Sequence, residues 1–301
     1  MLDEDQRRKL SQILYKVGDM GFRRRVIAIL DSLDLQDDDQ VLDCGCGEGY
    51  YTMVISELYP RVRIVALDHD PEILGKAKKW LEKRKNIKFV LAEWNPQKPN
   101  DLPFPSGKFD KAILSEVIEH LENDFGAVKE MKRILKKDGL LAITVPAANY
   151  PFFWDPLNFI REHLGLGHFS SANQFLGGIW SWNHLRLYTP MMLSTVIKKA
   201  GLKELEMKPI LRFVLPFNYW LLFLGKRLYT VLPVPEVVAK SMEKFEWQDD
   251  KSSSSMLTKV LKLPLILIDS LNDYFPGTLK NRHMCLFVIT KKTEPVKSFL
   301  R

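Results

Sequence analysis

The chain has 301 residues, 46% of them hydrophobic and 27% charged, which suffices for one large or two modest cores. A net charge of +7 favours an anionic partner or surface without separating nucleic acid from lipid headgroups. Three cysteines make no disulfide framework and are poorly spaced for structural zinc, the charged start MLDEDQRRKL lacks a signal-peptide core, and no run reaches ~18 uninterrupted apolar residues. The expectation is a cytoplasmic protein with reduced thiols and no transmembrane helix.

Residues 1–34 read as helical: Leu10, Ile13, Leu14 and Val17 share one face, and Val26, Ile27, Leu30 and Leu33 another. Arg23, Arg24 and Arg25 are taken as a solvated helix face. Asp37–Asp39 punctuates the boundary before VLDCGCGEGYYT (Val41–Thr52). There a short apolar run ends in Asp43, glycines follow at 45, 47 and 49, and the helical pattern resumes. This spells a buried strand, a tight loop and a helix start, with main chain that a ligand can approach closely. The spacing departs from a dinucleotide GxGxxG, and no GK[ST] marks a P-loop.

After a helix over 50–58, RVRIVALD forms a strand ending in Asp68. Asp70, before Pro71, is the better N-cap for the next helix, which leaves Asp68 free to accept two ribose hydroxyls. His69 follows Asp68 at the same strand tip, beside where a base attached to that ribose would lie. The strand 87–91 leads to Glu93 and Trp94, with Trp94 a candidate cover for a ring. Lys111–Leu114 is a fourth strand, with Ser115 and Glu116 at its ligand-facing end. A helix over 122–135, a strand over 140–145, a helix opened by Thr189-Pro190 and closed by Gly201, and strands near 203–207 and 284–290 follow. Alternating strands and helices predict an α/β, doubly wound, mostly parallel sheet.

The Asp-x-Gly-x-Gly-x-Gly stretch resembles motif I of the class I S-adenosylmethionine (SAM)-dependent methyltransferases, in the branch acting on ubiquinone precursors and other small molecules. The LPFP…FD approach to the fourth strand is similar to theirs. The resemblance covers about residues 35–208 plus the last strand. It implies a seven-stranded sheet of order 3-2-1-4-5-7-6 with the last strand antiparallel. It also implies that Asp43, Gly45, Gly47 and Gly49 shape the methionine site, Asp68 the ribose site and Glu93 the adenine site, with Ser115 a further cofactor contact.

Two stretches stand outside that pattern. Residues 146–187 carry Tyr150, Phe152, Phe153, Trp154, Phe159, Phe169, Phe175, Trp180 and Trp182, and read as an aromatic lid for an apolar acceptor. Residues 209–282 hold two apolar segments broken by Pro216, Pro233 and Pro264 and flanked by Lys226, Arg227, Lys259 and Lys262. They read as a membrane-surface helix or as a helical roof over the site. The chain thus divides into an N-terminal helical segment (1–34), a cofactor domain (35–208 with 283–293) and two insertions.

SEVIEHLEN places Glu116, Glu119 and His120 at i, i+3 and i+4, so a helical turn gathers them as a divalent-metal set or a general base. ExxEH resembles the metal-binding segment of small-RNA 2′-O-methyltransferases, and His184 before LRLYT falls in the register of their later histidine. That resemblance implies Glu116, Glu119, His120 and His184 as ligands, Mg²⁺ as a candidate ion, and Glu119, His120 and His184 as catalytic groups. The expected activity is O-methylation of an apolar or amphipathic small molecule, such as a lipid, quinone or isoprenoid-like compound, at or near a membrane surface. Metal-assisted RNA 2′-O-methylation is the second reading, and the apolar insertions weigh against a phosphate-tracking groove. A non-catalytic SAM-binding surface module is the third. No protein partner is legible.

Overall fold

A computed structural model describes residues 2–15, 17, 19–94, 101–169, 176–181, 183–213 and 256–293. Phe175, Trp182 and the first apolar segment of the second insertion, 214–235, lie outside the described residues.

Helices α1 (Glu4–Tyr15) and α2 (Met20–Leu33) precede β1 (Gln40–Cys44), α3 (Tyr50–Leu58), β2 (Arg63–Asp68), α4 (Pro71–Leu81) and β3 (Ile87–Leu91). Next come β4 (Phe109–Ser115), a 3-10 turn at Ile118–His120, α5 (Asp124–Ile134) and β5 (Leu135–Pro146). The chain continues through α6 (Pro156–His163), α7 (Pro190–Lys199), β6 (Lys203–Ile210), α8 (Met256–Tyr274) and β7 (Cys285–Lys291). The seven strands pair in the order β3-β2-β1-β4-β5-β7-β6. β1 to β5 are parallel, and β7 runs antiparallel between β5 and β6.

Side-chain alternation sends neighbouring strand residues to opposite layers. Val41, Ile113, Ala142, Phe287 and Ile289 pack in one core with α1, α2 and α3. Leu42, Leu114, Ile143, Leu286 and Val288 pack in the other with α5 and α7. Both faces of the central strands are buried, which is why these strands read as continuous apolar runs.

Local chemistry sets the ends. Asp70 Oδ1 accepts the Glu72 and Ile73 amides at 2.8 and 3.1 Å, capping α4 as its position before Pro71 predicts. Thr189 caps α7 in the same way. β5 begins five residues before the predicted Leu140, because Leu135 turns extended where α5 stops, and its pairing with β4 is offset by an irregularity between Phe109 and Lys111. The sheet reverses between β1 and β4, so the crevice beyond their C-terminal ends is the natural ligand position.

The arginine run departs from expectation. Consecutive helical residues lie ~100° apart, so three in a row cannot share one solvated face. Arg24 reaches α8, Arg25 reaches Glu116, and Arg23 donates to Met20 Sδ at 3.3 Å with its Nε buried and without a hydrogen-bond partner. No helix among the described residues is long and apolar enough to cross a membrane.

Candidate active site

The glycine loop is anchored from below and behind. Gly45 and Cys46 donate their amides to Leu67 O at 2.8 and 2.9 Å, tying the loop to β2. Gly45, Gly47 and Gly49 all take left-handed φ values, of 76°, 54° and 81°. A Cβ on Gly45 would lie 2.5 Å from Val117 Cγ2, whereas one on Gly47 would meet nothing within 4 Å, so the loop is open at Gly47. Asp43 is buried, and its Oδ2 accepts the Thr52 amide at 3.1 Å and hydroxyl at 2.7 Å. It therefore shapes the loop from beneath by pinning the start of α3. Burial pushes its carboxyl up to about 6, against the two Thr52 hydrogen bonds.

Asp68, at the tip of β2, accepts the Gly47 amide through Oδ2 at 2.7 Å and the Asp70 amide through Oδ1 at 3.0 Å. Each carboxylate oxygen has a second lone pair to offer a hydroxyl. His69 is exposed beside it, with Nδ1 3.3 Å from Asp68 Oδ1. Beyond β3, Glu93 is exposed. Trp94 is half-buried against the second core, with its indole N–H buried and lacking an acceptor. Ser115 lies in a chain of hydroxyls: Tyr51 Oη to Ser115 Oγ at 2.9 Å, Ser115 Oγ to Thr144 Oγ1 at 2.7 Å, and Thr144 Oγ1 to Glu116 Oε1 at 3.0 Å.

Arg25 is the functional candidate that the sequence reading missed. Its side chain is 16% exposed, its Nη1 lies 3.6 Å from Glu116 Oε2, and its Nε is buried without a hydrogen-bond partner. Burial raises the pKa of the Tyr51 hydroxyl while the Arg25 charge beside it pulls the other way. A guanidinium with a spare donor at the end of the sheet suits a carboxylate. The signal available in sequence was geometric: one of three consecutive helical arginines had to face inward.

The predicted four-residue metal set divides. Glu116 takes a left-handed backbone conformation (φ 55°), which breaks the predicted helical turn. Its carboxylate turns toward Thr144, Arg25 and the Cys285 thiol, and it is not among the clustered ligand atoms. Glu119, His120 and His184 do converge, each offering a ligand atom within 4.8 Å of the others. The segments meet because Leu185 donates its amide to Glu119 O at 2.9 Å, while Arg186 binds the carbonyls of Ile118, Leu121 and Glu122. Tyr188 adds a hydrogen bond to Asp124 at 2.8 Å.

Glu119 is fully buried with neither oxygen hydrogen-bonded. Desolvation, then the Glu116 charge, raises its pKa well above the carboxylate range. His184 Nδ1 lies 2.7 Å from Ile179 O and His120 Nδ1 3.3 Å from Asn183 O. A carbonyl only accepts, so both Nδ1 atoms carry the proton, and the His120 Nε2 lies 3.9 Å from Glu119 Oε1. Burial, then His120, lowers the His184 pKa and keeps its ring neutral. An orphaned carboxylate with two imidazoles oriented by backbone carbonyls fits a divalent cation. Two nitrogen donors suit a transition metal better than Mg²⁺, which favours oxygen and water.

The first insertion is partly self-packed. Tyr150 Oη and Trp180 Nε1 donate to the two oxygens of Glu162 at 2.9 and 2.7 Å, and His168 stacks on Trp180. Phe153, Ile160, Leu164 and Leu166 remain exposed.

A family model described as a methyltransferase domain matches residues 42–143. The malonyl-[acyl-carrier protein] O-methyltransferase of Legionella pneumophila is 33% identical over 106 residues, covering 35% of this chain and 35% of that protein. The chloroplastic 2-methyl-6-phytyl-1,4-hydroquinone methyltransferase of Arabidopsis thaliana is 32% identical over 126 residues, covering 42% of this chain and 35% of that protein. The chain thus spans only about a third of the length of these two curated relatives. Among solved structures, Haemonchus contortus phosphoethanolamine N-methyltransferase 2 in complex with SAM matches with a TM-score of 0.53 at 15% identity, covering 90% of this chain and 52% of that one. This last likeness is one of fold.

Proposed function

From the premise that this chain carries a methyltransferase domain of the class I SAM-dependent family, we propose that it methylates an oxygen of an apolar or amphipathic small molecule. The observation that carries the cofactor half is the Asp68–Gly47 contact at the open point of the glycine loop. SAM supplies a methyl group on a sulfonium sulfur, which leaves as a neutral thioether. Asp68 is the ribose acceptor in this reading, Arg25 the partner of the methionine carboxylate, and Glu93 and Trp94 flank the adenine. The unpaired donors of Arg25 and Trp94 support that assignment.

The protein's own task is to align the acceptor oxygen with the methyl group and to exclude water. A hydroxyl acceptor must also lose its proton, and His184 is the general base in this reading, its Nδ1 proton held by Ile179 O and its Nε2 turned to the acceptor. The exposed apolar residues of the first insertion support a greasy acceptor, and the two relatives support O-methylation and a phytylated hydroquinone as chemical classes.

Labelled methyl transfer from SAM into a lipid extract, compared with a panel of small polar acceptors, tests the reading. Incorporation confined to polar acceptors would reject it.

A second reading adds a divalent cation held by Glu119, His120 and His184, and the orphaned Glu119 carboxylate favours it. The ion would lower the pKa of an acceptor hydroxyl. Activity unchanged after exhaustive chelation would remove it.

A further inference from the structure

α8 belongs to the second insertion, and it is attached to the cofactor domain by its polar side. Arg24 on α2 donates from Nε to Asp269 Oδ1 at 2.5 Å, from Nη2 to Asp269 O at 2.5 Å and from Nη1 to Asp273 Oδ1 at 2.9 Å. The Arg24 and Asp269 side chains are only 17% and 15% exposed. Burial opposes the Arg24 charge, and the hydrogen bonds to Asp273 and Asp269 outweigh it. Asn272 accepts the Arg212 and Phe213 amides at 2.7 and 2.8 Å and donates to Phe213 O at 2.9 Å, tying the same helix to the chain just beyond β6.

The opposite side of α8 is apolar and faces outward: Leu263, Leu267, Leu271 and Tyr274 are exposed at helical spacing. Among the described residues, the polar ties of α8 to the cofactor domain are an ion-pair cluster and an amide clamp. Such ties exchange with water more readily than core packing does, so docking of this kind is suited to being reversible.

The residue after Arg24 is Arg25, which leaves α2 in a different direction and meets Glu116 at the end of the sheet. Two consecutive helical residues cannot move independently. A shift of α2 that follows α8 therefore moves the Arg25 guanidinium too.

We propose that Arg24 is a positioning residue: through Asp269 and Asp273 it makes docking of α8 a condition of full cofactor affinity. This rests on the reading above in one respect, that Arg25 pairs with the cofactor carboxylate. Linkage then requires the converse, that bound cofactor strengthens the docking of α8.

The test is calorimetric titration of S-adenosylhomocysteine into the full chain, its Asp269→Asn/Asp273→Asn variant and an Arg24→Asp/Asp269→Arg exchange, with hydrogen exchange followed over residues 256–274. The expected result is roughly 5- to 50-fold weaker binding in the double variant, within the usual range for coupled sites. Partial recovery should accompany the charge exchange, and exchange in 256–274 of the unaltered protein should slow when the ligand is added. Equal affinity in the double variant, with faster exchange in 256–274 proving α8 released, would overturn the proposal while leaving the cofactor reading intact. Absence of binding by the unaltered protein would overturn both. Arg25→Met separates the remaining case: unchanged affinity there removes the premise on which Arg24 acts.

Discussion

Asp68 holds Gly47: its Oδ2 accepts the Gly47 amide at 2.7 Å across the gap between β2 and the glycine loop. One carboxylate thus fixes the loop and keeps lone pairs for a ligand. Asp68→Ala should weaken SAM binding by about 10- to 100-fold, the scale of a lost charge-assisted hydrogen bond or two. Calorimetry checks this, and an unaltered affinity would place the ribose elsewhere.

Gly45 lies under Val117 with φ at 76°. Gly45→Ala should cost about 1–3 kcal/mol from left-handed strain and overlap together. Adding Val117→Ala should recover the overlap share alone. Thermal midpoints of the single and double variants separate the two; full recovery would show that the backbone carries no strain.

Asp43 titrates with a definite sign. Its folded-state pKa of about 6 lies above its ordinary value of 3.8. The native state therefore holds the proton more tightly, and the associated stability is full below the ordinary value and lost as pH rises through the folded one. Asp43→Asn keeps an acceptor for Thr52 and removes the charge. It should flatten the stability profile across that window, by an amount on the order of 2 kcal/mol. Denaturant unfolding at a series of pH values reads this directly, and parallel profiles for the two proteins would refute it.

Glu119 and Glu116 should behave oppositely toward a metal. Titration with Co²⁺, followed by its visible absorption, should give a site that Glu119→Gln weakens at least about tenfold, the scale at which even outer partners of metal ligands act. Glu116→Gln should leave it nearly unchanged. The reverse result would restore the contiguous helical set.

Arg186 binds three carbonyls of the turn that carries Glu119 and His120. Arg186→Met should destabilise the chain by about 1–3 kcal/mol through the unsatisfied groups. It should also weaken Co²⁺ binding although Arg186 contacts no ligand atom. A stability loss with intact Co²⁺ affinity would show that the turn keeps its shape unaided.

What was legible in the sequence was what local rules control. The glycine spacing fixed the loop, Asp70 before Pro71 gave the cap, and apolar runs marked strands buried on both faces. What was not legible depended on distant partners. ExxEH reads as one turn only while its backbone is assumed helical, and the left-handed Glu116 breaks it. The approach of His184 to Glu119 needed the LRLYT segment to run beside the 3-10 turn. The inward path of Arg25 depended on a packing angle of α2 that no local pattern encodes. The first insertion showed only as aromatic composition, and the contacts of Tyr150 and Trp180 with Glu162 come from side chains 12 to 18 residues apart in sequence.

The position of β7 has a bearing on how the chain is made. Among the described residues β6 pairs with β7 alone, and β7 is the last strand of the sheet to be synthesised. β1 to β5 can assemble as soon as they emerge, whereas β6 waits for the about 75 residues that separate its end from Cys285, several seconds at ribosomal speed. During that interval the β5 edge lies open and β6 has no strand partner, and the strand that joins both must enter between them. The half of the molecule that holds the glycine loop is thus finished before the half bearing the insertions is secured, and the interval between is when a nascent chain is most exposed to mispairing.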